Sequence, residues 1–185
     1  VNAAGAWGDE VAAACGARPI GLQPRRRSAF TFRPPAGVDW AATAMVCDVQ
    51  EQWYFKPDAG QMLGSPANAD PVPPHAVQPE EFDIALGIHR IQEATTFTVA
   101  RPTATWAGLR SFVPDGEIVI GFDPRQAGFF WLAAQGGYGI QSAAGASLLA
   151  ATLIEGVPLP DELSRHGVDP DVVSPSRFAL KASRP

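Results

Sequence analysis

Short apolar segments bounded by turn residues, with clear alternation of polar and apolar residues at 26–33, predict a series of strands along the chain. The predicted strands cover residues 26–33, 43–49, 52–57, 61–65, 95–100, 104–112, 116–122 and 128–134. The turn signal Asp58-Ala59-Gly60 joins two of them, as in an antiparallel hairpin. Asp123-Pro124 joins another two in the same way. Most of the sheet is therefore expected to be antiparallel.

Helical periodicity and end signals predict three helices. The first covers residues 8–16, and the second begins at Pro79, which suits the first helical position. The third runs from about 140 to 155 and ends at Gly156. The second helix has one apolar face, formed by Ile84, Ile88 and Ile91.

These elements predict an α+β fold in which helices accompany a mostly antiparallel sheet. The two end regions, 1–16 and 129–155, differ from the middle, because the pattern of each predicts a strand, a glycine turn and a helix of small residues. Such segments are typical of a nucleotide-binding α/β layer. The chain also opens directly on strand-like residues after Val1, so we expect an upstream portion to be missing.

Composition excludes several classes of function. The net charge of −5 disfavours a nucleic-acid partner, and the run Arg25-Arg26-Arg27 is too short to change that. Cys15 and Cys47 are isolated, which indicates neither a disulfide framework nor a zinc site and favours a cytoplasmic location. The histidines are scattered as well, so no metal is expected.

The segment Gln135-Gly136-Gly137-Tyr138-Gly139-Ile140-Gln141 joins a buried strand to a helix N-terminus. Its glycines allow a flat ring to approach the backbone, and the helix end favours an anion or an electron-rich group. Ser142 stands where a third glycine of the GxGxxG fingerprint would fall, so this is not a primary dinucleotide site. A tight turn without a ligand is the alternative.

Arg110 lies on the apolar extended segment 106–112, where an unpaired charge is costly. A guanidinium can bind a substrate carboxylate through two parallel hydrogen bonds, and the alternative is a structural ion pair. Tyr54 faces away from Trp53 and Phe55 on its strand, and its phenol could bind a carboxylate or an amine. Aromatic packing is the alternative for Tyr54.

Taken in order, the motifs of this chain resemble those of the D-amino-acid oxidase-like FAD-dependent oxidoreductases, and within them most of all the D-arginine dehydrogenases. The motifs are Asn2-Ala3-Ala4-Gly5-Ala6-Trp7, Arg25-Arg26-Arg27, Tyr54-Phe55-Lys56-Pro57 with Gly64-Ser65-Pro66, Trp106-Ala107-Gly108-Leu109-Arg110 and 135–141.

The resemblance implies an FAD-binding layer at 1–24 and 116–160, a substrate domain at 25–115 and a C-terminal tail at 161–185. The implied substrate-binding residues are Arg110, Tyr54, Arg27, Gly137 and Met45. The implied cofactor-binding residues are Ala4, Gly5, Trp7, Gly136, Gly137, Tyr138, Gly139, Ile140 and Gln141. No catalytic side chain and no metal ligand is implied.

The implied reaction is the oxidation of a D-amino acid by hydride transfer to FAD, which yields a 2-oxo acid and ammonia. The GxGxxG strand of the family is absent, so we expect this chain to be a C-terminal fragment that is inactive and holds FAD poorly without its N-terminal portion. Self-association through exposed apolar surface is a further expectation. The alternatives are a fragment of a glycine or sarcosine type amine oxidase, and a ligand-binding module without a cofactor.

Overall fold

The computed structural model describes residues 1–37 and 39–181. The end of the predicted tail, 182–185, lies outside the described residues. The strands are β1 Gln23–Phe32, β2 Val46–Cys47, β3 Tyr54–Asp58, β4 Gln61–Ser65, β5 Asp70–Pro71, β6 Ala104–Phe112, β7 Val119–Phe122 and β8 Phe130–Ala133. The α-helices are α1 Gly8–Ala14, α2 Glu81–Ala94, α3 Gly139–Glu155, α4 Asp161–Ser164, α5 Pro170–Val173 and α6 Ser176–Lys181, and the 3₁₀ helices are Gly5–Trp7 and Trp40–Ala42.

The three predicted helices and the two predicted hairpins are confirmed, and the α+β class with mostly antiparallel strands is correct. One predicted strand is absent, and another is much shorter than predicted. Residues 95–100 form a loop, because the Thr95 hydroxyl accepts the Phe97 N–H at 3.1 Å and replaces a ladder bond. The predicted strand at 43–49 shrinks to the two residues of β2.

The chain divides into two compact units. The terminal unit contains residues 1–24 and those from 110 onward, and the central unit contains residues 25–109. These limits describe contacts only, so the functional ranges drawn from the sequence stay predictions. None of the described helices is long and apolar enough to cross a membrane.

The central unit is an antiparallel sheet with α2 packed against one face. The strands follow the order β2-β3-β4-β1-β5, and β6 also pairs with β1. Phe30 is fully buried at the centre, because Gly64 and Gly87 leave room for its ring: a Cβ added at either glycine would lie within 2.9 Å of it. Burial of such a ring stabilises the fold by roughly 2–3 kcal/mol. The core consists of Phe30, Phe32, Phe55, Met62, Ile84, Ile91 and Val99.

A network of charges links β1 and β5 to α2 around Arg26. Its guanidinium pairs with Asp70 at 3.4 Å, with Asp83 at 3.2 Å and with Glu80. The hydrogen bond to Glu80, together with the nearby carboxylates, raises the pKa of Arg26 although burial opposes the shift. Asp83 is itself buried and accepts a hydrogen bond of 3.0 Å from the Ser28 hydroxyl. The network therefore fixes the N-terminus of α2 on the sheet.

The terminal unit has three layers around the β7–β8 hairpin. Side chains alternate between its two faces. One face packs on α1 through Val119, Trp131, Ala133, Ala12, Ala17 and Ile20. The other packs on α3 and α4 through Ile118, Ile120, Phe130, Leu149, Ala150 and Leu163. The short helices after α3 were not predicted. Leu163 of α4 and Val173 of α5 pack on this second face, whereas Phe178 of α6 packs on the first.

Candidate functional site

Two turns of the terminal unit leave its sheet at the same edge. The backbone of Asn2 pairs in parallel with β8 at Trp131, through N–H to O hydrogen bonds of 2.7 and 3.0 Å. Parallel strands present their carboxyl ends at one edge, so the segments that follow them emerge there. The structure therefore brings residues 4–7 and 135–141, both predicted to face a cofactor, to one edge of one small sheet.

The first turn is shaped by the buried side chain of Asn2. Its Nδ2 donates to the Gly8 carbonyl at 2.8 Å, and its Oδ1 accepts the Ala4 N–H at 3.3 Å. Gly5 lies in the left-handed region, at φ +57°, and Trp7 is 43% exposed. Asn2 thus positions three predicted cofactor-binding residues, a role that no local pattern in the sequence indicates.

The N-terminus of α3 presents backbone N–H groups that have no acceptor. The Ser142 N–H is the first to bond within the helix, donating to the Tyr138 carbonyl at 2.9 Å. Over the described part of the chain, the N–H groups of Gly139, Ile140 and Gln141 find no partner, and no side chain caps the helix. Ile140 is 97% exposed. This end carries partial positive charge and favours an electron-rich group of a ligand.

The second turn is bent by two residues in the left-handed region. These are Gly136, at φ +53°, and the buried Ala134, at φ +60°, which costs on the order of 1 kcal/mol for a non-glycine residue. The Gly136 N–H donates to the Ser111 carbonyl of β6 at 3.0 Å. A Cβ added to Gly136 would lie 3.0 Å from the rings of Phe112 and Tyr138. The turn is therefore held firmly against the end of β6.

The guanidinium of Arg110 lies directly on the α carbon of Gly137. A Cβ added to Gly137 would come within 2.6 Å of Arg110 Nη1 and 3.0 Å of Cζ. Gly137 is not in the left-handed region, so its backbone conformation does not call for glycine, and the guanidinium of Arg110 occupies the space that a Cβ would fill. Two predicted substrate-binding residues, far apart in sequence, are thus in contact.

Arg110 has no acidic partner among residues 1–37 and 39–181. No carboxylate lies within 4.0 Å of its guanidinium, and the guanidinium makes no hydrogen bond there. The nearest acid in sequence, Asp115, instead forms a two-pronged pair with Arg177, at 3.0 and 3.2 Å. The alternative of a structural ion pair therefore fails for Arg110 within this part of the chain. A half-buried guanidinium with unfilled donors suits a carboxylate ligand.

Tyr54, Arg27 and Met45 belong to the central unit. Phe55 lies opposite Gly64 and Phe30 on the α2 face of the sheet, so strand alternation places Tyr54 and Arg27 on the other face. The Tyr54 hydroxyl has no hydrogen bond within the described residues. Met45 precedes β2 and is 50% exposed. Their roles in substrate binding stay predictions.

Tyr138 has a structural contact that the sequence did not reveal. Its hydroxyl donates to the Gly116 carbonyl at 3.1 Å, and its ring packs on the core beside α3. Burial is the main cause that raises the pKa of Tyr138. Its side chain therefore anchors the second turn, and its role in cofactor binding stays a prediction.

No cluster of three potential metal ligands occurs in the described part of the chain. His89 Nε2 lies 3.4 Å from the carboxylate of Glu93, one turn further along α2, and both side chains are exposed.

Residues 1–153 match the model of the family described as FAD dependent oxidoreductase. The match covers both turns, the strand that carries Arg110 and all of the central unit.

Solved structures of larger enzymes share the fold. L-proline dehydrogenase from P. horikoshii superposes with a TM-score of 0.76 and 19% identity, over 97% of this chain and 46% of that chain. Iminodiacetate oxidase from Chelativorans sp. BNC1 has a TM-score of 0.71 and 18% identity, over 93% and 44%. Glycine oxidase from Geobacillus kaustophilus has a TM-score of 0.68 and 23% identity, over 85% and 41%. This chain therefore spans less than half the length of each of these three proteins.

Proposed function

Because the chain belongs to the FAD-dependent oxidoreductase family, we propose that it forms the part of an active site that binds the α-carboxylate of a D-amino acid. FAD is the cofactor of the family. The observation that carries the proposal is the contact between Gly137 and an Arg110 guanidinium that has no acidic partner within the described residues.

The residues at the sheet edge fit an isoalloxazine ring. The unpaired N–H groups of Gly139, Ile140 and Gln141 would donate to electron-rich atoms of the ring, and the turn that contains Gly5 would line the same edge. FAD, when bound, supplies the acceptor for a hydride from the substrate Cα.

Arg110 and Gly137 would act together on the substrate. The guanidinium binds both carboxylate oxygens, and the Gly137 carbonyl accepts a hydrogen bond from the substrate amine. Two fixed anchors next to each other leave the Cα little freedom to rotate, and orientation of this kind lowers the barrier to reaction. The released imine would then hydrolyse to a 2-oxo acid and ammonia.

The substrate class has two separate supports. The three structural neighbours are named for their substrates glycine, L-proline and iminodiacetate. In each of these molecules one carbon atom separates a carboxylate from the nitrogen. The choice of a D-amino acid, with D-arginine as the first candidate, rests on the ordered motifs from Asn2 to Gln141.

A second candidate is an amine oxidase of the glycine or sarcosine type, and the similarity to glycine oxidase favours it. The two enzymes would share the carboxylate site and differ in the electron acceptor. Reduction of the full-length flavoprotein with substrate, followed by exposure to air, separates them. Reoxidation within seconds indicates an oxidase, whereas a flavin that stays reduced until a dye is added indicates a dehydrogenase.

The proposal is tested by steady-state kinetics of the natural full-length protein with D-arginine and an artificial acceptor. Arg110→Met is expected to raise KM on the order of a hundredfold, which corresponds to roughly 3 kcal/mol for a lost charge-assisted pair. Arg125→Met removes the same charge from an exposed arginine and should leave KM within about twofold. An unchanged KM in Arg110→Met, with the protein folded and loaded with FAD, would show that Arg110 does not bind substrate.

A further inference from the structure

The central unit contains a cavity that has no part in the proposed reaction. Its volume is about 500 Å³, which is within the range of sites for small metabolites. None of its lining residues was predicted to bind substrate or cofactor. They are Phe32, Arg33, Thr98, Val99, Ala100, Arg101 and Thr103.

The lining is cationic in a protein that is anionic as a whole. Arg33 and Arg101 are the charged residues among the seven, whereas the net charge of the chain is −5. Within the described residues, neither guanidinium has an ion pair or a hydrogen bond. Both arginines are exposed to solvent and line the same cavity, so their two positive charges would attract an anion to it.

One wall of the cavity is held in place before any ligand binds. The Val99 N–H donates to Gln92 Oε1 at 2.7 Å, so α2 holds the start of the loop. At its other end, the Thr103 N–H donates to the Thr31 carbonyl at 2.7 Å, and the two threonine hydroxyls lie 2.8 Å apart. Because both ends are bound to the sheet or to α2, the segment that carries Arg101 loses little entropy when a ligand arrives.

The polar groups of the lining side chains select the chemistry of the ligand. Guanidinium groups can only donate hydrogen bonds, and their planar fork matches the two oxygens of a carboxylate or phosphate. The lining contains no acidic side chain that would attract a cation. Two guanidinium groups can each bind a separate oxyanion group of the same ligand.

We propose that this cavity binds a small organic anion that has at least two carboxylate or phosphate groups. The site is independent of Arg110 and of the proposed oxidation, so either proposal can fail without the other.

Isothermal titration of the full-length protein at constant ionic strength tests the proposal, with citrate as the carboxylate probe and pyrophosphate as the phosphate probe. Wild-type protein should bind one equivalent of at least one probe, and the stronger probe identifies the preferred group. Arg33→Gln and Arg101→Gln should each weaken that binding at least tenfold. Arg18→Gln, which removes an exposed arginine outside the cavity, should change the affinity less than twofold.

Three results would overturn the proposal: neither probe binds saturably, Arg18→Gln weakens binding as much as the cavity variants do, or Arg110→Met abolishes it. Arg33→Lys and Arg101→Lys retain the charge without the planar fork. If a glutamine variant does not fold, binding is measured with the corresponding lysine variant instead. A loss of affinity in these lysine variants supports the cavity, and an unchanged affinity contradicts it.

Discussion

Arg26 and Arg110 are two partly buried arginines with opposite surroundings. Arg26, in the central unit, lies among Asp70, Glu80 and Asp83. Arg110, in the terminal unit, has no carboxylate within 4.0 Å in the described part of the chain, and it rests on the α carbon of Gly137.

The difference separates an arginine that holds the fold together from one that is left open for a ligand. The charge of Arg26 is neutralised by three carboxylates of the chain, although its buried Nε makes no hydrogen bond within the described residues. Arg26 therefore adds rigidity and has little capacity for an anionic ligand. The charge of Arg110 is partly removed from water and has no compensating carboxylate among residues 1–37 and 39–181, which costs stability in the absence of a ligand. A partly buried charge that has no partner in the described part of the chain is typical of a site that binds an ion of opposite charge.

The largest effect on stability is expected from breaking the Arg26 network. Asp83→Ala removes one carboxylate and leaves the Ser28 hydroxyl and a buried guanidinium short of a partner. The free energy of unfolding, measured with urea, should fall by roughly 2–3 kcal/mol, because a buried pair loses one member. The KM of the folded enzyme should not change.

Glu93→Ala is the matched control, since it removes a carboxylate from an exposed pair on the same helix. It should cost no more than about 0.5 kcal/mol. If Asp83→Ala raised KM and left stability normal, Arg26 and not Arg110 would be the arginine of the ligand site.

A smaller effect, on binding alone, is expected from Gly137→Ala. The added methyl group would overlap the guanidinium at 2.6 Å, and the flexible side chain of Arg110 would swing away from it. KM should rise about tenfold, equivalent to ~1.4 kcal/mol, with unfolding unchanged within about 0.5 kcal/mol. Gly145→Ala adds the same methyl group where nothing lies within 4 Å, and it should leave KM unaltered. Equal KM values for the two variants would remove Gly137 from the site.

The smallest effect concerns Asp123, a buried acid of the terminal unit whose partners lie within the chain. Burial alone would raise its pKa. Hydrogen bonds from Trp131 Nε1 and from the N–H groups of Arg125 and Gln126 outweigh burial, so the pKa lies below the ordinary value of 3.8. The carboxylate therefore stabilises the fold above that pH, and the contribution disappears as the pH falls through the lowered pKa.

Asp123→Asn tests this account through the pH dependence of unfolding. The variant should be about 1 kcal/mol less stable than wild type at pH 7, and the two stabilities should converge below pH ~4. A constant difference down to pH ~2 would contradict the assignment. KM should stay unchanged, because Asp123 does not reach Arg110.

Local patterns predicted much of the fold and only part of the candidate site. The helices and hairpins followed from periodicity and turn residues. The pattern at 95–100 was misleading, because the N–H groups of Phe97 and Val99 donate to the side chains of Thr95 and Gln92 and not to a neighbouring strand. The ordered motifs indicated Arg110 and Gly137 as site residues, yet their contact depends on β6 meeting a turn far along the chain. The acids that bind Arg26 are equally remote in sequence, so no local pattern could tell which arginine was neutralised.

The central claim is that Arg110 binds the carboxylate of the substrate. Its most direct test compares a D-amino acid with its amide, which lacks the charged carboxylate, in wild-type protein and in Arg110→Met. Wild type should prefer the acid in kcat/KM by on the order of a hundredfold, and the variant by less than about threefold, because the two changes remove the same interaction. The same preference in both proteins would contradict the claim.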